Sequence, residues 1–282
     1  MKVLVTGVKG QLGFDVCLEL DKRHIENKGI DRDDCDITDE TAVLNYIKSY
    51  APDVVVHCAA YTAVDRAEDE KEICYNVNVK GTEYIARACK EVDAKMVYIS
   101  TDYVFEGVGE TAYEIDDKAA PDNTYGITKY QGEEEVRKIL NKYFIIRISW
   151  VFGINGNNFI NTMMKLGESR SELNVVADQI GSPTFTYDAA PLICDIIATE
   201  KYGTYHATNE GYCSWADLAE YIFSVTGQKV LVHHIKSEEY PTKASRPKNS
   251  RLSKSSLDKA GFKRLPDWKN AVKRYIDEKL GR

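Results

Sequence analysis

The fold is decided by the first thirteen residues, Met1–Gly13, which read MKVLVTGVKGQLG. Val3 to Val5 form a short uncharged aliphatic run, as in a strand that is buried on both faces of a parallel sheet. Gly7, Gly10 and Gly13 follow at three-residue spacing. We expect the first to allow a tight turn, the second to let a phosphate approach the backbone, and the third to let the next helix pack closely. A strand, a glycine loop and a helix in this order predict a dinucleotide-binding fold.

Length, charge and cysteine content limit the class of protein. The 282 residues suffice for one large domain or two interlocked ones, and the net charge of -7 argues against a nucleic-acid binder. No apolar stretch is long enough to span a membrane, and no secretory signal is expected before the first strand. Seven cysteines without a CxxC pair are typical of reduced thiols, so we expect no metal site and a cytoplasmic location.

Strand-like and helical segments alternate along the first half of the chain. Aliphatic runs at 54–56, 96–99 and 143–148 are separated by helical patterns. This alternation predicts a Rossmann-type α/β fold with a doubly wound parallel sheet, whose ligands lie at the carboxyl ends of the strands. We predict a nucleotide-binding domain over residues 1–150 and a smaller, interleaved substrate-binding region over 151–282. Segments within 185–235 are expected to complete the sheet.

Two spaced motifs carry a family resemblance. The pattern TGxxGxxG, Thr6 to Gly13, resembles the extended branch of the short-chain dehydrogenase/reductase family. The resemblance implies a Tyr-x-x-x-Lys, which is present as Tyr125 and Lys129, with Thr101 about two dozen residues upstream. Four-residue spacing on a helix puts both side chains on one face, where an ammonium favours the tyrosine phenolate. We therefore expect acid–base catalysis at a carbonyl oxygen, which Thr101 would also hydrogen-bond.

The cofactor preference stays open at the end of the second strand. Asp31 stands where a carboxylate takes the adenosine ribose hydroxyls, but Arg32 follows at once and could take a 2′-phosphate. The sequence therefore does not choose between NADH and NADPH. By resemblance Asn78 belongs to a water-linked proton relay, and a helix-surface or kink asparagine is an equal alternative. The expected cofactor-binding residues are Gly7, Gly10, Gln11, Leu12, Gly13, Asp31, Arg32, Asp36, Ile37, Ala59, Ala60, Tyr61, Asn78, Tyr125 and Lys129.

Five longer strings are more specific than the glycine loop. They are AAYTAVD from Ala59, STDYVF from Ser100, RISWVFG from Arg147, DQIGSPT from Asp178 and RPKNSRL from Arg246. Together they resemble the dTDP-rhamnose-forming reductases of the extended branch. The resemblance implies NAD(P)H-dependent reduction of a dTDP-linked keto-deoxysugar by a protein that forms a homodimer. It also implies substrate contacts from Thr101, Asp102, Tyr103, Trp150 and Arg246, although the two aromatic residues could fill a core and the arginine could be a surface residue.

Two other functions remain open. An epimerase or dehydratase of the same branch shares most of these motifs, but Thr101, Asp102 and Tyr103 supply one carboxylate with no glutamate after it, which argues against dehydration. A regulatory subunit of methionine adenosyltransferase also resembles this family and binds a nicotinamide cofactor. The intact Thr101, Tyr125 and Lys129 favour an enzyme without excluding that subunit.

Overall fold

A computed structural model describes residues 1–282, in which short strands and helices alternate. The strands are β1 Lys2–Thr6, β2 Glu26–Ile30, β3 Val54–His57, β4 Lys95–Thr101, β5 Tyr143–Ile148, β6 Val151–Phe152, β7 Glu172–Val176, β8 Ile180–Gly181, β9 Thr184–Phe185, β10 Gly203–His206, β11 Cys213–Ser214, β12 Leu231–Ile235 and β13 Asn249–Ser250. The helices are α1 Gln11–Lys22, α2 Glu40–Tyr50, α3 Val64–Ala67, α4 Lys71–Tyr75, α5 Thr82–Glu91, α6 Thr124–Ile139, α7 Phe159–Gly167, α8 Thr186–Ile197, α9 Trp215–Thr226, α10 Ser255–Ala260 and α11 Trp268–Lys279. A π-helical segment, Asn76–Gly81, joins α4 to α5.

Six parallel strands form the central sheet, in the order β10-β5-β4-β3-β1-β2. β1 pairs with β2 on one side and with β3 on the other, and β4, β5 and β10 follow on the β3 side. The strand order therefore reverses between β1 and β3. Ligands of such sheets bind in the crevice beyond the carboxyl ends of the strands at that reversal. The predicted Rossmann-type α/β fold is confirmed.

Helices cover both faces of the sheet. Val3, Leu4 and Val5 of β1 are fully buried because α1 and α8 pack on one face while α2, α5 and α6 cover the other. Alternate side chains of β1 therefore point into two separate apolar cores. This double burial explains the unbroken aliphatic runs of the parallel strands.

The second half of the chain contributes to two regions. β10 completes the central sheet by pairing with β5 from Gly203 opposite Phe144 onward, while α8 and α10 pack on that sheet. Helices α7, α9 and α11 and the paired strands β7 and β12 build a third apolar core. The division into domains at residue 150 stays a prediction. None of the helices combines the length and the apolar character that a membrane span requires.

Candidate active site

A cleft of about 920 Å³ lies at the carboxyl ends of the parallel strands. Its walls are the glycine loop, the segments that follow β2, β3, β4 and β5, and the first turns of α6. Most of the residues predicted from the sequence line this cleft: Gly7, Gly10, Gln11, Leu12, Gly13, Asp31, Arg32, Asp36, Ile37, Ala59, Ala60, Tyr61, Thr101, Asp102, Tyr103, Tyr125, Lys129 and Trp150.

The glycine loop makes a close turn from β1 into α1. Gly7 has a left-handed φ of +74°, and a Cβ there would lie 2.7 Å from the backbone nitrogen of Ala59. A Cβ on Gly13 would overlap the carbonyl oxygen of Gly7. Because glycine has no Cβ, the helix can start close to the turn. At Gly10 the nearest atom to a Cβ would be the Gly7 oxygen at 3.2 Å. The first N–H groups of α1 therefore face the cleft, as an anion site requires.

Gln11 ties this loop to the second half of the chain. Its Oε1 accepts hydrogen bonds from the Gly153 backbone at 2.8 Å and from the Asn158 side chain at 3.0 Å. The Gln11 side chain thus holds the far wall of the cleft, and its backbone belongs to the N-terminus of α1. The predicted cofactor contact of Gln11 would compete with these two donors only if it were made through Oε1.

The acidic segment after β2 closes the other end of the cleft. Asp31 accepts from the backbone of Lys9 at 3.0 Å and from that of Arg32 at 2.8 Å, so its carboxylate is fixed against the glycine loop. Arg32 is 84% exposed, and its Nε lies 3.5 Å from Asp36 Oδ2. Asp36 in turn accepts from the backbone and hydroxyl of Thr38, which hold its pKa below the usual range. The Asp31 carboxylate is therefore pre-positioned, whereas the Arg32 guanidinium is solvent-exposed with one ion-pair partner, Asp36.

Asn78 does not line the cleft, and its position in a kinked helical segment agrees with the alternative that the sequence left open. It is buried in the π-helical segment, where Oδ1 accepts from the Tyr61 backbone at 2.8 Å. Its Nδ2 donates to the Tyr61 carbonyl at 3.2 Å and to Thr128 Oγ1 at 3.1 Å. Its backbone oxygen accepts from Thr82. With every polar atom of its side chain engaged, Asn78 shapes the loop at Ala59–Tyr61 and has no contact with Lys129.

Thr101 and Tyr125 meet where β4 ends and α6 begins. α6 starts at Thr124 because the Asn123 side chain caps it, accepting from the Gly126 backbone at 2.8 Å. Burial raises the pKa of Tyr125 above its ordinary value, although a hydrogen bond with Thr101 opposes that shift. The phenol is therefore protonated at neutral pH, the state that the predicted proton donor requires.

Lys129 lies one turn beyond Tyr125 and is almost fully buried. Its Nζ is 4.0 Å from the centre of the Tyr98 ring, a cation–π distance. Burial lowers the pKa of Lys129 to about 7, and the negative charge of Glu133, a further turn along α6, opposes the shift. Neither Tyr98 nor Glu133 stands out in the sequence.

An ion pair beneath this helix compensates the charge of Glu133. Its two carboxylate oxygens accept from Arg147 Nε and Nη2, both at 2.8 Å, and neither side chain is more than 3% exposed. Arg137 adds a third contact at 2.6 Å from the helix surface. The pKa of Glu133 is lowered, because these guanidinium contacts outweigh the effect of its burial. Only the fold shows this pair, since α6 and β5 bring the two residues together.

Aromatic side chains form the wall opposite the glycine loop. Trp150 lies between β5 and β6 with a φ of +48°, a conformation that bulky side chains adopt only when the surroundings impose it. Its indole stacks on Trp215 with the ring centres 3.7 Å apart and the planes 14° from parallel. Tyr103 packs edge-on against Tyr125 at 5.5 Å. Trp215, which holds Trp150 in place, carries no sequence signal that separates it from a core residue.

Arg246 does not line the cleft, so its predicted contact with the substrate stays a prediction. Its Nη2 donates to Asp65 Oδ2 at 2.6 Å and its Nη1 to the Tyr103 hydroxyl at 3.2 Å. The guanidinium therefore already has a carboxylate partner behind the aromatic wall. A contact with a substrate diphosphate would require it to leave Asp65.

The chain fits a dinucleotide on its own geometry. The turn at Gly7 and Gly13 leaves no room for side chains, the N-terminus of α1 faces the cleft, and the carboxylate of Asp31 is fixed at the far end. A pyrophosphate is accommodated by the first two features and a ribose by the third. No group of three His, Cys, Asp or Glu residues is placed to hold a metal ion.

Comparison with known proteins agrees with this geometry. Residues 1–280 match the family model described as RmlD substrate binding domain. The dTDP-4-dehydrorhamnose reductase of Aggregatibacter actinomycetemcomitans is 40% identical, over 96% of this chain and 97% of that protein. The chain therefore belongs to the dTDP-4-dehydrorhamnose reductase family.

Two further relatives place the cofactor and the biosynthetic setting of this family. The Bacillus anthracis dTDP-4-dehydrorhamnose reductase, solved in complex with NADP, has a TM-score of 0.96 and 43% identity, covering 99% of this chain and all of that one. The Bacillus subtilis spore coat polysaccharide biosynthesis protein SpsK is 40% identical over 99% of this chain and 98% of its own length. The predicted family, the oxidoreductase class and the nicotinamide cofactor are confirmed.

Proposed function

We propose that this chain reduces the C4 keto group of dTDP-4-dehydro-L-rhamnose to dTDP-L-rhamnose, with NADPH or NADH as reductant. The observation that carries the proposal is the meeting of Thr101, Tyr125 and Lys129 at one end of a cleft whose other end fits a dinucleotide. We also propose a cytoplasmic location and a homodimer, following the family resemblance.

The cofactor would lie along the glycine loop. Gly7, Gly10 and Gly13 with the N-terminus of α1 would hold its pyrophosphate, and Asp31 or Arg32 its adenosine ribose. Lys129 would hydrogen-bond the nicotinamide ribose. This contact would replace the hydrogen bonds to water that the buried ammonium lacks. When bound, the nicotinamide supplies the hydride chemistry.

Tyr125 is the proposed proton donor to the forming alkoxide. Because burial keeps the phenol protonated, the proton is in place before reduction begins. Thr101 would donate a second hydrogen bond to the same oxygen, which stabilises the charge that develops there. Lys129 would stabilise the phenolate left on Tyr125. Tyr103 and Trp150 would form the wall against the sugar, with Trp150 held by its stack on Trp215.

The two other functions find less support. One buried carboxylate, Asp102, follows Thr101, and no glutamate stands beside it, so a dehydratase would lack an acidic partner. A regulatory subunit would not need Thr101, Tyr125 and Lys129 together in a cleft. A pull-down that enriched a methionine adenosyltransferase, without any reductase turnover, would favour the subunit.

The test is a spectrophotometric assay at 340 nm with NADPH or NADH and freshly generated dTDP-4-dehydro-L-rhamnose. We expect Tyr125→Phe to lower kcat by about two to four orders of magnitude, the usual contribution of general acid catalysis, with cofactor affinity unchanged. Tyr130→Phe, on the same helix but outside the cleft, is the matched control and should keep the wild-type rate. Near-normal turnover by Tyr125→Phe would exclude this role, and turnover of the sugar without net cofactor oxidation would indicate an epimerase.

A further inference from the structure

The carboxyl group of Asp102 is buried with one oxygen unpaired. Asp102 is 3% exposed and follows Thr101 directly at the end of β4. Its Oδ1 accepts a hydrogen bond from Thr101 Oγ1 at 3.0 Å, whereas its Oδ2 is buried without any hydrogen-bond partner. Such an orphaned carboxylate oxygen is unfavourable when charged, and the neutral acid avoids most of that penalty.

The hydroxyl of Thr101 has one proton to donate and two lone pairs to fill. One lone pair accepts from the Tyr103 backbone at 3.2 Å. If Asp102 is ionised, the single proton of Thr101 points to Asp102. Thr101 can then act only as an acceptor toward Tyr125, whose hydroxyl proton points to Thr101. Both hydroxyl protons are then turned away from a ketone in the cleft.

A neutral Asp102 reverses these directions. Its own proton can donate to Thr101 Oγ1 across the same 3.0 Å contact, which fills the second lone pair. The Thr101 proton must then point outward, and the Tyr125 hydroxyl is released from donating to Thr101. We propose that Asp102, as the neutral acid, is a positioning residue that turns the hydroxyl protons of Thr101 and Tyr125 toward the ketone oxygen of the substrate.

The burial of Asp102 makes its neutral form more accessible than that of an exposed carboxyl. The Ser250 side chain from β13, Thr101 and the Tyr103 backbone N–H approach its carboxyl and favour the charged form, but burial outweighs them. The charged groups nearby are engaged elsewhere, with Lys129 over the Tyr98 ring and Arg246 paired with Asp65. Burial raises the pKa of Asp102 to about 6. The acid form is therefore present below that pH and is lost as the pH rises through it.

The experiment rests on the proposed function and compares three proteins: wild type, Asp102→Asn and Asp102→Ala. The asparagine amide can donate to Thr101 at every pH, as the neutral acid does, and the alanine cannot. We would measure kcat/KM for dTDP-4-dehydro-L-rhamnose at saturating NADPH from about pH 5 to about pH 8, because this parameter reports ionisations of the protein before substrate binds. Calorimetric NADPH affinity, the same in all three, would show that each variant keeps its cofactor site.

We expect the wild-type kcat/KM to fall about tenfold per pH unit above the pKa of Asp102. In Asp102→Asn the decline of kcat/KM should begin at least about one pH unit higher, where Lys129 loses its proton. Near neutral pH the kcat/KM of Asp102→Asn should exceed that of Asp102→Ala by about tenfold or more. A profile of Asp102→Asn that coincides with wild type, or equal activities of the two variants, would overturn the role of Asp102. A wild type that does not oxidise NADPH with this ketone would contradict the proposed function as well.

Discussion

Replacing Arg147 by methionine removes one half of the ion pair beneath the catalytic helix. Methionine keeps much of the aliphatic volume of arginine but leaves the carboxylate of Glu133 in the core with Arg137 as its remaining partner. That carboxylate is fully buried, and its two oxygens lose the Nε and Nη2 donors at 2.8 Å. The variant therefore tests the strength of a pair on which the charge next to Lys129 depends.

Breaking a buried pair by removing one partner is expected to lower the free energy of unfolding by about 3–5 kcal/mol. This is a large part of the total stability of an ordinary domain, about 5–15 kcal/mol. Replacing both residues, as in Glu133→Gln with Arg147→Met, removes the uncompensated charge, so the double variant should recover about 2 kcal/mol or more relative to Arg147→Met. The effects of the two substitutions are then strongly non-additive.

Arg137→Met is the matched control, because Arg137 contacts the same carboxylate from the helix surface at 2.6 Å with its side chain 31% exposed. It should lower the free energy of unfolding by less than about 1 kcal/mol. Unfolding would be followed by circular dichroism in urea without cofactor, since a ligand bound to the folded state adds its own stabilisation.

The pH dependence provides a second readout of the same pair. In the wild type the pKa of Glu133 is lowered, so its contribution to stability is present above the unfolded pKa and is lost as the pH falls through the folded pKa. In Arg147→Met the pKa of Glu133 should rise. The difference in the free energy of unfolding between this variant and the wild type should therefore become smaller as the pH falls and the carboxyl is protonated. An Arg147→Met protein as stable as Arg137→Met, or a double variant whose loss equals the sum of the single losses, would refute this argument.

Two predictions concern the cofactor end of the cleft. Gly10→Val places a branched side chain over the proposed pyrophosphate site, so the Kd for NADPH in titration calorimetry should rise about tenfold or more while the fold is kept; unchanged affinity would assign the loop another role. Wild-type kcat/KM should differ less than about tenfold between NADPH and NADH, because Asp31 is fixed near the proposed ribose site while the charge of Arg32 is exposed and screened by salt. Arg32→Ala should weaken NADPH binding selectively. A hundredfold difference, or a ratio that Arg32→Ala leaves untouched, would contradict this interpretation of the pair.

The central sheet is predictable from the sequence because each parallel strand is buried on both faces. The runs at Val3–Val5 and Val54–Val56 have no polar residue, and their order with the intervening helical patterns defines the topology. The boundaries of the helices are harder to predict from the sequence. Proline favours the first turn of a helix, yet Pro191 lies in the interior of α8, which begins at Thr186. Here packing of α8 on α1 outweighs the local effect of proline.

The helical pattern over residues 71–91 hides a change of period. The apolar spacing predicts one helix, whereas the structure has α4, the π-helical segment Asn76–Gly81 and α5 in succession. The π-helical segment continues the helical course without a break between α4 and α5, so apolar spacing alone does not reveal it. It nevertheless decides the role of Asn78, whose side chain reaches the Tyr61 backbone across the turn. The motif around Asn78 identifies the residue but not its partner.

The chemistry of the site follows the same division between motif and environment. The spacing of Tyr125 and Lys129 requires only one helix, so the sequence alone predicts that they share a face. The protonation state of Lys129 depends on its burial over Tyr98 of β4 and on Glu133, a further turn along the same helix, whose charge Arg147 of β5 compensates. An acid–base site is thus recognisable from two residues on one helix, but their protonation states depend on burial and on partners that the sequence alone does not show. Burial keeps Tyr125 protonated and lowers the pKa of Lys129, so the free protein is prepared to donate a proton, as reduction of a ketone requires.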